Sequence, residues 1–331
     1  MKFAVAALVA LLAVPSTSVR ADAQQPIAPR APLLPDGHSD LQGTWLNNSA
    51  TPLERPKALE GRALLNDDEV TELRARAARL LADPDNDFAG GDNLFLAALD
   101  NVAHYRNPNV TGRATDMIER PFDNRTSLIV DPPDGRIPWT QTGRQRFDAA
   151  AESRRSATNG NPEELGPDLR CITYGVPRLG VNNVNSAGPL GYYQIIQTPD
   201  YVVFAYEAIH EARIIPLDDR PRMPGQMWQW SGESRGHWEG ATLVVDTIHF
   251  SPEANVMGSA EHLHLTERFT RIADDRMTYE ITLDDPTTWA RPWTVELRLN
   301  RTVEPIYEYA CHEGSAPIIQ DLLNGALKRQ P

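Results

Sequence analysis

Two runs of strict two-residue alternation lie between residues 277 and 299. Met277, Tyr279, Ile281 and Leu283 alternate with Thr278, Glu280 and Thr282; Trp293, Val295, Leu297 and Leu299 alternate with Thr294, Glu296 and Arg298. Successive side chains on a β-strand point to opposite faces, so each run makes a strand with one apolar and one wet face. One-sided burial is the pattern of antiparallel sheets. Neighbouring segments repeat it. "YYQIIQTPDYVVFAYE" turns at Pro199-Asp200, "HEARIIPLD" follows, "SRGHWEGATLVVDT" folds back about Glu239-Gly240, and "HLHLTERFTRIADDRMTYEITLDD" turns at Ala273 to Asp275. "LRCITYG" and "IYEYACHE" also read as strands. Consecutive hairpins without intervening helices predict a mainly β protein, an antiparallel meander forming a barrel or a strongly curled sheet over residues 166–331.

Residues 41–165 read differently, as a mixed, irregular section. "DLQGTWL" is a Gly-x-Trp strand entry of the kind whose tryptophan plugs the end of a small barrel. Asn66 before the acidic turn Asp67, Asp68 and Glu69, with Val70, Leu73, Ala77 and Leu80 at three- and four-residue steps, predicts a helix over 66–82 that Pro84 ends. The acids Asp83, Asp85 and Asp87 suggest a calcium loop. Phe88 stands where the turn glycine belongs and Leu94 where the bidentate acid belongs, so an acidic loop is the simpler reading. "TSLIVDPPDGRIPWT" reads as two short strands about Asp131 to Gly135. A second helix is expected over 142–155, and the polar loop after it marks the boundary between the two sections.

The start of the chain suggests a destination. Lys2, an apolar run from Phe3 to Val14 and the small residues Ala21-Asp22-Ala23 read as a signal peptide over residues 1–23, followed by a Pro-rich linker over 24–40. The expected location is periplasmic or secreted. The apolar run is too short to span a bilayer, so no membrane insertion is expected after cleavage. With 32 basic against 45 acidic side chains the net charge is −13, which argues against nucleic acid as a partner. In an oxidising compartment Cys171 and Cys311 are most simply a disulfide. A catalytic thiolate beside His312 is the sharper alternative.

The motif series "RPFDNRTSLIVDPPDGRIP", "RCITYGVPR", "HEARIIPLD", "SRGHWEGATLVVDT", "LTERFTRI" and "YEYACHE" resembles a group of secreted bacterial proteins to which no activity attaches. The strand meander and the Gly-x-Trp entry separately resemble the calycin or lipocalin-like architecture. That likeness implies a cavity for a small molecule and does not choose between carrier and enzyme.

No phosphate loop, nucleophile elbow or zincin motif occurs, and no cofactor is implied. His262 and His264 would share a strand face and form a metal pair only if a third ligand arrived. Glu267, on the face of Leu265 and Phe269, must be paired or protonated if buried. With Glu239-Gly240 as the loop, His237 pairs across from Thr242, Arg235 from Val244 and Glu233 from Asp246, so these polar residues share one face and Leu243 and Val245 take the other. Glu308 and His312 would share a strand face some 13 Å apart by the usual rise, too far for direct contact. The acid–base candidates are His237, His312, Glu267 and Arg235. The ligand-binding candidates are Trp289, Arg291, Trp293 and Arg213, whose rings could stack a planar ligand or simply fill the core. Two uses fit these residues. One is binding of a small, largely apolar ligand; the other is a cofactor-independent lyase, hydratase or isomerase with a His and a carboxylate in the same cavity. A structural envelope protein, with only surface polar clusters, is the third reading.

Overall fold

The computed structural model describes residues 32–83, 85–86, 93–105, 121–155, 165–178, 191–225 and 227–327. The signal and most of the linker, Asp87 and Phe88 of the acidic loop and most of the boundary loop lie outside them. The fold is mainly β. Strands β1 (Gly43–Leu46), β2 (Ile129–Asp131), β3 (Tyr192–Gln197), β4 (Tyr201–Tyr206), β5 (Ala212–Pro216), β6 (Glu233–Glu239), β7 (Thr242–Ile248), β8 (His264–Arg271), β9 (Arg276–Asp284) and β10 (Trp293–Thr302) form one antiparallel sheet. Its order is β5-β4-β3-β1-β10-β9-β8-β7-β6, with β2 also on β10. The N-terminal section therefore contributes strands to the sheet, and β1 joins the β3–β5 meander to the β6–β10 meander.

Helix α1 (Asp67–Ala82) begins where its cap predicts: the Asn66 side chain accepts from Glu69 N–H, and the Glu69 carboxylate accepts from Asn66 N–H. Its buried Val70, Leu73, Ala77 and Leu80 pack with α2 (Asn93–Leu99) and Phe122 in a small satellite core. Helix α3 is Gln141–Arg155 and α4 is Cys311–Leu327.

The sheet curls around one large core. Met277, Ile281, Leu283, Trp293, Val295, Leu297 and Leu299 are all 0% exposed and Tyr279 nearly so, each apolar side chain contributing about 1.5–3 kcal/mol relative to exposure. Trp45 of β1 is fully buried in this core. Its indole N–H donates to Leu41 O at 2.8 Å, and the Arg271 guanidinium lies over its ring at 5.5 Å.

Four sequence expectations need correction. "YEYACHE" is not a strand: Cys311 opens α4, and Glu308 stands in an irregular approach to it. Cys171 lies in a turn with φ +55. Neither segment has the alternation that marks β9 and β10; aromatic content alone suggested strands. Of "TSLIVDPPDGRIPWT", Ile129–Asp131 pairs with β10, while the residues after the turn make only a Trp139–Trp289 bridge. The β6–β7 loop is Gly240-Ala241, setting Glu239 opposite Thr242, His237 opposite Val244 and Arg235 opposite Asp246. This is two residues from the expected register, so every side chain keeps its expected face. Gly240, at φ +61, supplies the left-handed turn conformation.

Candidate functional site at the meeting of the sheet edges

The ends of the strand order, β5 and β6, approach without a backbone ladder. Gly236 lets them do so: a Cβ there would lie 2.8 Å from Leu217 Cδ2 and 3.0 Å from Ile215 Cγ2. Side chains join the edges instead. Arg213 of β5 donates from Nε to Ser234 Oγ of β6 at 2.9 Å and from Nη2 to Thr247 Oγ1 of β7 at 2.7 Å. Its Nη2 also meets Glu267 of β8, and the Tyr279 hydroxyl of β9 donates to the same carboxylate. Arg213 therefore ties the near edge to three strands of the far meander.

Glu267 is 0% exposed, so it satisfies the sequence requirement that it be paired. Burial disfavours the Arg213 charge, but the attraction of Glu267 outweighs it and holds the guanidinium protonated. Burial and the neighbouring Glu267 push the Tyr279 phenol up, and burial pushes Tyr206 up to about 12. Both phenols stay neutral.

A second ion pair stands beside the first. Arg178 donates to Glu211 Oε2 at 2.9 Å and lies 4.4 Å from the centre of the Tyr206 ring. Glu211 also accepts from Thr173 Oγ1 at 2.8 Å and from Ser231 Oγ. Between β5, β6 and the segment following β5 lies a cleft of about 260 Å³. Glu211 and Ser231 line one part, Glu233 and Arg235 another, and Ile214, Pro216 and Met223 add apolar surface. Arg213 also lines it, with Nη1 buried and without a hydrogen-bond partner among the described residues.

Glu233 is 3% exposed. It accepts from Met223 N–H at 3.0 Å, lies 3.0 Å from His249 Nδ1 and pairs with Arg235 at 2.6 Å. Burial would raise its carboxyl, but the hydrogen bonds from Met223 and His249 and the charges of Arg235 and Arg222 outweigh it and hold it below the usual carboxylate range.

Of the sequence candidates, the structure joins Arg213 to Glu267, and Arg235 lines the cleft that Arg213 also lines but pairs with Glu233. His237 is solvent-exposed and 3.2 Å from Glu239. His312 stands exposed on α4, because the expected strand is a helix start. Trp289 and Trp293 are core residues in an edge-to-face pair at 5.5 Å, and Arg291 is exposed on Asp131 rather than between their rings. His264 pairs with Asp246 while His262 lies 3.9 Å from Glu261, both largely exposed. Among the described residues no cluster of three or more His, Cys, Asp or Glu is arranged to hold a metal ion. Cys171 and Cys311 are bridged, with Cα atoms 5.9 Å apart, which removes the catalytic-thiolate alternative. Sequence reasoning missed Arg178, Ser231 and His249, because each joins the site through a loop.

Fold and site together define an open, curled antiparallel sheet with a charged cleft where its edges meet. No protein-family model matches the chain, and no curated protein or solved structure is significantly similar to it.

Proposed function

We propose that the protein binds a small molecule in the β5–β6 cleft, with the ligand's polar end toward Arg213 and its apolar body against Ile214, Pro216 and Met223. The observation that carries this reading is Arg213 itself: a buried guanidinium with two nitrogens engaged and the third without a partner among the described residues. Leaving a buried donor unmatched costs about 1–3 kcal/mol, which an acceptor on a ligand offsets. The volume equals roughly eight or nine water molecules at about 30 Å³ each, so the ligand is compact. The inward positions of the sheet are occupied by large side chains, which is why the cleft rather than the interior is the proposed site. The Cys171–Cys311 bridge favours an oxidising compartment, supporting export to the periplasm or medium as part of the same proposal.

The test is a solution NMR screen of small organic acids, amides and alcohols. A ligand of this cleft shifts the Ile214 and Met223 methyl signals together and leaves the Leu283 and Leu297 signals of the core unchanged. Binders that perturb only residues away from the cleft, or no binder in any class, would overturn the reading.

A further inference from the structure

His249 follows β7, and the β6–β7 register sets Ile248 opposite Glu233, which brings the next residue back beside that carboxylate. Its backbone is left-handed, φ +59, a conformation unfavourable for a non-glycine residue and enriched where function requires it. Two backbone hydrogen bonds hold it there: Gln229 N–H donates to His249 O at 3.0 Å, and Ser251 N–H donates to Gln229 O at 2.8 Å. An ionised carboxylate only accepts hydrogen bonds, so the 3.0 Å contact with Glu233 Oε2 places the shared proton on Nδ1. In the neutral ring the lone pair is then on Nε2. That nitrogen has no hydrogen-bond partner among the described residues, and the side chain is 20% exposed. Gly225 passes over it so that even an added Cβ would stand 3.7 Å from Nε2.

We propose that Glu233 and His249 form a proton-transfer pair, with His249 Nε2 the general base that activates water against a small carboxylic ester. Nε2 takes a proton from water as the water oxygen bonds to the acyl carbon and the carbonyl electron pair moves onto its oxygen. When that adduct collapses, the bond to the alcohol oxygen breaks and Nε2 returns the proton to the departing alkoxide, leaving acid and alcohol. His249 is the catalytic residue. Glu233 is a positioning residue that fixes the tautomer. This assigns a reaction rather than binding alone, and it depends on the neighbouring cleft only for delivery of the substrate.

The probe is p-nitrophenyl acetate, with turnover read as release of p-nitrophenol. Removal of a general base is expected to lower kcat by about a hundredfold in His249→Gln. Glu233→Gln should lower kcat with little change in KM, and His262→Gln should leave turnover unaltered. Equal hydrolysis by wild type and His249→Gln overturns the proposal. Should Glu233→Gln not fold, nitrogen-15 NMR of the wild-type imidazole decides the tautomer: a proton on Nδ1 and a bare Nε2 support the pair, and a proton on Nε2 of the neutral ring contradicts it. Neither readout needs a resident ligand, so failure here leaves the binding reading standing.

Discussion

At the scale of single residues, the Arg213–Glu267 pair is the most consequential contact. The side chains are 4% and 1% exposed, and removing one partner strands a buried charge. Arg213→Met or Glu267→Leu alone is expected to destabilise the fold by about 3–5 kcal/mol, whereas the two together should cost much less. Urea denaturation of the two single variants and the double variant measures the coupling; additive losses would show that the ions do not act as a pair. Asp285 offers a pH test. Burial alone would raise its carboxyl, but hydrogen bonds from Ser259, Thr288 and Thr287 outweigh burial and hold it below the usual range. A depressed folded-state value stabilises the fold above the unfolded carboxylate value of about 3.9, and that contribution is lost as pH falls through the folded value. Wild-type stability should therefore fall more steeply below about pH 4 than that of Asp285→Asn, compared by thermal melts across the acid range.

At the scale of elements, two junctions carry predictions. The Cys171–Cys311 bridge joins residues 140 apart and fastens the start of α4 to the turn before Thr173 and Arg178. Replacing both cysteines by serine should cost about 2–5 kcal/mol, read as a lower melting temperature in the variant. Helix α3 docks at Gly143, where a Cβ would stand 2.1 Å from Thr288 O. Gly143→Ala should cost about 1–3 kcal/mol through overpacking, whereas Gly314→Ala in α4, with nothing within 4 Å, should be neutral or stabilising. Equal melting temperatures for these variants would contradict the docking.

Legibility in the sequence follows from what each element depends on. The helix of Asp67–Ala82, its Asn66 cap and the faces of β9 and β10 were readable because they depend on local periodicity. The buried carboxylate of Glu267 was readable for the same reason. "YEYACHE" misled because aromatic and cysteine content mimics a strand without fixing a period. Arg178 and Ser231 were not readable together, since they meet at Glu211 only when β5 and β6 are brought together by curling. Nor was His249, since it lies past the end of β7 and reaches Glu233 through the hairpin register. The hairpin register was off by two residues, which alternation cannot detect, because a shift of two preserves every face.

At the scale of the whole molecule, β1 inserts between two meanders that curl until their outer strands meet through Arg213 rather than through a ladder. The cleft at that seam is the ligand site proposed above. Native mass spectrometry of the protein purified from the cells that make it, followed by denaturing extraction, tests this most directly. The account predicts a stoichiometric small organic molecule on the wild type that is lost in Ser231→Phe, a variant that fills the cleft and is required to melt cooperatively. Retention of the same molecule by a folded Ser231→Phe variant, or a wild type that carries none and takes up none from an added panel of small acids, amides and alcohols, would contradict it.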